Sequence, residues 1–217
     1  MGTIKKGIMG GFSGKVGNIV GASWKGIAYI RSLPANVHNP RTEKQVTQRS
    51  KFSLIGSLLK ELNPIIRVGF HSLAGPGRTA FSMAMTHNID HAVTGVYPDF
   101  SVDWPNLLIA TGDLFPVNSA SATCVAGSLD FTWDKTMANN AKPTDRVMLV
   151  ACNASRGKVV YNMDAAARSD GAASLALPPL WDGEEVECFL VLASEDGSLI
   201  ADSFYAGNVT ATAAAGG

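Results

Sequence analysis

No run of eighteen apolar residues occurs anywhere in the 217 positions, so no segment is long and apolar enough to cross a bilayer as a helix. Cysteine is scarce. Cys124, Cys152 and Cys188 stand far apart and form no C-x-x-C pair, which speaks against zinc and against a redox motif. Set among apolar residues, they read as buried reduced thiols, with a single bridge and one odd thiol as the other possibility. No G-x-S-x-G elbow is present and no cysteine lies near a histidine in sequence. The carboxylates of the C-terminal half are scattered over turns, as at Glu195 and Asp196. The pattern therefore asks for no enzyme, no catalytic residue and no cofactor. A secretory signal is not expected either: Lys5 and Lys6 precede an apolar stretch, but glycines crowd it and Lys15 interrupts it, so the chain is expected to be cytoplasmic when made.

Acidic residues are nearly missing from the first hundred positions. Up to Pro98 there are twelve Lys/Arg against Glu43, Glu61 and Asp90, a balance of +9; the remainder carries six against fifteen, −9, and the chain as a whole is neutral. With 46% hydrophobic and 17% charged residues the chain has enough apolar surface to fold. The charge split speaks of partners, because summed charge steers association.

Seven glycines between Gly7 and Gly26 make a helix costly there, so hairpins and loops are expected. Val16, Ile19, Val20 and Trp24 lead into Lys25-Gly26, followed by Ile27, Tyr29 and Arg31, which reads as a β-hairpin with Gly26 at the positive φ of its turn. The glycine spacing also suits a small-residue helix seam in a membrane-inserting arm, but Lys15 and Asn18 weigh against that. After Asn39-Pro40, Thr42 and Gln45 have capping-box spacing, and Val46, Phe52, Ile55, Leu59 and Leu62 recur at helical intervals, so a helix is expected over Glu43 to Leu62, ended by Pro64. Shorter helices are expected around Ile65 to Leu73, and after Gly75-Pro76-Gly77 with Phe81, Met85, Ile89 and Ala92 on one face.

From Ala120 the period becomes two. Leu129, Phe131 and Trp133 alternate with polar residues; Val147 to Cys152 is a buried run; Ser155 to Lys158 turns into Val159 to Tyr161. Asp170-Gly171, Asp182-Gly183 and Asp196-Gly197 separate strands at Ala173–Leu177, Val186–Ala193 and Leu199–Tyr205. Short strands at turn-marked intervals predict a β-sandwich. The expected organisation is thus a basic Gly-rich hairpin and helical region (1–98), a linker with a short strand near Leu107 to Ala110 (99–118), the sandwich (119–209) and a disordered tail (210–217). The fold class is α+β.

Trp133, together with the stretch Leu180-Trp181-Asp182-Gly183-Glu184-Glu185-Val186, resembles a fibronectin type III or related immunoglobulin-like domain, where a tryptophan packs beneath a Leu-x-x-Gly-x-x-(aromatic) corner. Val186 stands where that family has an aromatic. The segments GGFSGKVGNIVGASWKGIAYIRSLP and NPRTEKQVTQRSKF resemble a family of uncharacterised bacterial and phage-associated proteins. That likeness implies architecture only, since no activity goes with it.

Two local patterns were candidates for chemistry. Gly10 to Lys15 resembles a P-loop, but Met9 stands where the first glycine belongs, Val16 where Ser/Thr belongs, and no strand leads in. His87-Asn88-Ile89-Asp90-His91 places two histidines four apart, as zinc ligands require, but no clear third ligand accompanies them, and both point away from the apolar stripe toward solvent; no metal is expected. What remains is the basic set, Lys15, Trp24, Lys25, Tyr29, Arg31, Arg41, Lys44, Arg49 and Lys51, in which cations interleave with aromatics. Such a set suits docking onto an acidic protein surface, and equally phosphate contact with base stacking. The expected function is that of a structural subunit of a virion or surface assembly, self-associating and meeting other structural proteins. Nucleic-acid binding is the alternative.

Overall fold

The computed structural model describes residues 3–4, 10–24, 26–36 and 41–212. Two compact units make up the chain, residues 1–46 with 75–78 and residues 47–74 with 79–217.

In the first unit, β1 (Thr3–Ile4), β2 (Phe12–Val16), β3 (Ile19–Trp24) and β4 (Ile27–Ser32) form an antiparallel sheet in that order. The expected hairpin is β3–β4, closing with Trp24 opposite Ile27 and with Gly26 at φ +82°. A second hairpin, β2–β3, turns at Gly17-Asn18. Gly21 explains part of the glycine richness: a Cβ there would stand 2.1 Å from the Phe12 carbonyl oxygen, so the strands approach as closely as they do only without a side chain. The P-loop-like stretch runs into β2, where Lys15 pairs with Val20 of β3.

The division between units falls inside α1 (Glu43–Glu61); α2 (Asn63–Gly69), a 3-10 turn at His71–Leu73 and α3 (Ala80–His91) follow. Pro64 ends the first helix by opening the second, since it sits in the first turn of α2, where its missing N–H costs nothing. Ile55, Leu59 and Leu62 are buried as their spacing predicts, but Phe52 is 56% exposed. On α3 the buried face is Ala84, Met85 and Asn88 with Ala92 after it, and Phe81 and Ile89 lie at its margin. A polar residue turns that face. Asn88 is fully buried, its Nδ2 donating to Ala84 O (3.0 Å) and Leu108 O (2.8 Å) while its Oδ1 accepts from Leu108 N (2.8 Å).

The hairpin of β5 (Val93–Val96) and β6 (Asp99–Val102) comes next, partly within the stretch expected to be a linker. Residues 107 to 110 form no strand. Leu107, Ile109 and Ala110 are buried in irregular conformation, and their backbone finds other partners: Ile109 N donates to Ser203 Oγ (3.1 Å), Thr111 N to Gly69 O (2.9 Å), and Ser203 N to Ala110 O (3.0 Å).

Seven strands complete the chain: β7 (Ala120–Val125), β8 (Ser128–Trp133), β9 (Arg146–Asn153), β10 (Lys158–Ala167), β11 (Ala172–Ala176), β12 (Glu185–Ala193) and β13 (Phe204–Thr210). They form two antiparallel sheets, β10-β9-β12-β13 and β11-β8-β7. Gly171, Gly183 and Gly197 all take positive φ, as their Asp-Gly turns predict. The strand expected from Leu199 begins only at Phe204; Ile200 and Ala201 are buried, and a single bridge ties Ile200 to Ala193. Thr210 to Thr212, read as the start of a loose tail, are fastened: Ala211 is buried, and Thr212 N donates to Cys124 Sγ (3.3 Å). The rest of that tail, 213–217, lies outside the described residues.

Alternation along the central strands explains the two cores. Met148, Val150 and Cys152 of β9, with Phe189 and Val191 of β12, pack against Ile55, Leu59, Leu62, Ile65 and Ile66 of the helical segment. Val147, Leu149, Ala151, Cys188, Leu190 and Leu192 face the other way, toward Leu129, Phe131 and Trp133 of the second sheet. Strands buried on both sides read as continuous apolar runs, which is what Val147 to Cys152 shows. The charge boundary near Pro98 is therefore no boundary in the packing of the second unit, because helices before it and strands after it share one core. In the 3-10 turn that joins β10 to β11, Arg168, fully buried, reaches Phe115 O (2.8 Å), Pro116 O (2.7 Å) and Asp145 Oδ2 (3.3 Å), and its own carbonyl accepts from Trp133 Nε1 (2.9 Å). All three cysteines are free, Cys152 and Cys188 buried and Cys124 partly so.

Candidate functional sites: a sheet face and a cavity

Strand register sorts the basic set. Lys15 pairs with Val20, which pairs in turn with Arg31; Ala22 pairs with Tyr29 and Trp24 with Ile27. Paired residues share a face of a sheet, and so do residues two apart on one strand. Lys15, Trp24, Tyr29 and Arg31 thus stand on one face, with Val20, Ala22 and Ile27 among them. The face is open: all six residues of β4 are exposed, Ile27 at 56%, Tyr29 at 45%, and Trp24 of β3 at 43%. Lys15 and Arg31 flank Val20 across three strands, about 10 Å apart at the backbone by ordinary strand spacing. The strands themselves carry no carboxylate, since the first acidic residue in the chain is Glu43.

The other members of the set are distributed differently. Arg41 and Lys44 belong to the first unit and are exposed, whereas Arg49 and Lys51 belong to the second. Lys51 is partly buried, its Nζ 5.2 Å from the centre of the Phe100 ring. Lys25 lies outside the described residues. By compact unit the charge split persists: the first holds eight Lys/Arg and one acidic residue, +7, and the second ten and seventeen, −7.

The second unit contains a cavity of about 480 Å³ lined by Met83, Thr86, His87, Asp90 and His91 of α3, by Phe70 and Leu73, and by Leu108, Thr111 and Asp202. His87 and His91 stack with ring centroids 4.5 Å apart, and His91 Nδ1 lies 2.8 Å from His87 O. His87 does not face solvent as its spacing suggested. It is half-buried, and its Nδ1 is buried with no hydrogen-bond partner among the described residues. Burial and the adjacent His91 hold the His87 imidazole below its ordinary value, against opposing pulls from Asn88, Asp202 and Asp90. Asp202 is fixed from outside the helix, its Oδ1 accepting from Thr111 Oγ1 (2.6 Å) and Gly112 N (3.1 Å). Among the described residues no three His, Cys, Asp or Glu side chains are grouped to hold a metal ion. The sequence pointed to the two histidines but not to Asp202 or Thr111, which lie more than a hundred and some twenty positions away.

A family model described as a family of unknown function, DUF6266, matches residues 11–207. The chain belongs to this family. The match runs from β2 of the Gly-rich sheet into β13 of the two-sheet region. No curated protein matches the chain. Among solved structures it is similar to the crystal structure of CopC from Methylosinus trichosporium OB3b, at 18% identity over 47% of this chain and 94% of that one, with a TM-score of 0.27. Likeness at that level carries neither an activity nor a ligand to this chain.

Proposed function

We propose that this protein is a structural subunit of a larger assembly, which docks through the open face of its N-terminal sheet onto the acidic unit of a neighbouring copy or of another structural protein. The observation that carries the reading is the register that gathers Lys15, Trp24, Tyr29 and Arg31 on one exposed face. Apolar residues between cations, as Val20, Ala22 and Ile27 stand here, suit a protein partner, where a buried anchor is rimmed by charge. The opposite charges of the two units supply the complement, and they favour a head-to-tail contact of unlike surfaces, which closes into a ring or runs on as a filament. On this reading the role is structural, in a virion or on a cell surface, and the two-sheet region is the projecting module. Its three-plus-four arrangement of antiparallel strands, with Trp133 buried between the sheets, supports an immunoglobulin-like, fibronectin III-like assignment.

Light scattering coupled to size exclusion tests this. Species of several chains are expected at low salt, shrinking as salt rises above about 0.1 M, where the screening length falls to about 10 Å. The double variant Lys15→Glu, Arg31→Glu is expected to remain monomeric with unchanged circular dichroism. A monomer at every salt concentration that shifts only when DNA or RNA is added would sink the assembly reading in favour of nucleic-acid binding, for which the same face offers cations beside stacking rings.

A further inference from the structure

We propose that the cavity beside α3 is a binding site for an organic cation, an ammonium or guanidinium carried on an apolar stem. Its walls divide by chemistry. Phe70, Leu73, Met83 and Leu108 offer an apolar side, while Asp90 and Asp202 offer two carboxylates, and among the described lining residues there is no lysine or arginine to neutralise them. Asp202 is held ready: Thr111 and Gly112 occupy its Oδ1, and its Oδ2 has no hydrogen bond among the described residues. A carboxylate fixed on one oxygen and open on the other suits a charge-assisted bond to an N–H donor. The stacked His87 and His91 rings add a flat wall against which a planar group can lie. At about 480 Å³ the space falls within the range of small-molecule sites.

The charged and titratable groups acting on His87 are His91 and Asp90 on its own helix and Asp202 from the segment before β13. While His87 is neutral the two carboxylates dominate; its protonation places a positive charge beside them and opposes a cationic ligand. Binding is therefore expected to weaken as the pH falls through the His87 titration.

The same cation could be a free amine or the side chain of a lysine or arginine in a second copy, and one experiment separates these sources. The imidazole resonances of His87 and His91 are followed by NMR while the full chain is titrated with tryptamine, and in parallel with tryptophol, its neutral counterpart. Saturable shifts with tryptamine alone support a free amine. Shifts that grow with protein concentration before any amine is added, and that disappear in Asp202→Asn, support a side chain from a second copy. Asp202→Asn keeps the acceptor for Thr111 and is expected to weaken binding about 10- to 100-fold, the usual worth of a charge-assisted bond. Asp90→Asn, at an exposed position, decides the matter should the first variant lose its fold. Equal shifts with tryptophol, unchanged affinity in the folded variants, or no shift of either kind would overturn the proposal.

Discussion

Replacing Asn88 by leucine is expected to destabilise the second unit by about 2–4 kcal/mol. Leucine has the same number of side-chain heavy atoms as asparagine and favours the helix, so helix propensity does not oppose the change, and its bulkier methyl groups only add to the loss. What is lost is the clamp on Leu108, whose N–H and C=O both bond to the Asn88 amide and have no neighbouring strand to turn to. Each orphaned buried group costs about 1–3 kcal/mol, and the extra apolar burial of leucine offsets about 1 kcal/mol of the sum. The Asn88→Asp variant sharpens the argument. It keeps an acceptor for Leu108 N–H but points a second carboxylate oxygen at the carbonyls of Ala84 and Leu108, so burial and these acceptors raise its pKa above the unfolded value. A raised acid contributes stability that is present at low pH and lost as pH rises, so this variant is expected to recover part of its loss between pH 7 and pH 4. Urea unfolding followed by tryptophan fluorescence at both pH values measures this. A leucine variant within about 0.5 kcal/mol of the parent, or an aspartate variant indifferent to pH, would refute the view that Asn88 holds the irregular segment in place.

Gly21→Val is expected to disrupt the N-terminal sheet, since its Cβ would collide with the Phe12 carbonyl; limited proteolysis should then cut within residues 10–36 while the second unit stays resistant. Glu184, bonded by Arg156 and then by Asn153, is held down to about 2, so its contribution is present above the ordinary carboxylate range and lost as pH falls from about 4.5 toward 2. The drop in melting temperature between pH 5 and pH 3 should accordingly be smaller in Glu184→Gln. Burial, followed by the nearby Glu187, pushes the Cys188 thiol up to about 12, and burial raises Cys152 as well, so a native-state thiol titration should find at most Cys124 reactive, against three after unfolding.

Much of the local structure was legible in the sequence because it rests on local rules. Gly26 between Trp24 and Ile27 specifies a tight hairpin, Pro64 stops one helix where another starts, and each Asp-Gly pair marks a turn, all through interactions among residues a few positions apart. The double-sided apolar run at Val147 to Cys152 likewise declared a strand covered on both faces. What covered it could not be read there, since α1 and the first half of α2 present a stripe that fits any apolar surface. For the same reason the charge break near Pro98 looked like a domain boundary: charge is recorded position by position, whereas the sharing of a core is not. The candidate sites divide in the same way. Lys15, Trp24, Tyr29 and Arg31 were singled out by residue type, and strand register put them on one face. The cavity was half visible in His87 and His91, but Asp202 reaches it only because Ser203 and Ala110, far apart in the chain, are bonded to each other. By itself the sequence determined where the chain turns, where it coils and which stretches are buried, because those depend on backbone preferences and short-range periodicity. Only the tertiary structure decided which buried faces meet and which polar groups converge, because those contacts join residues that no local pattern connects.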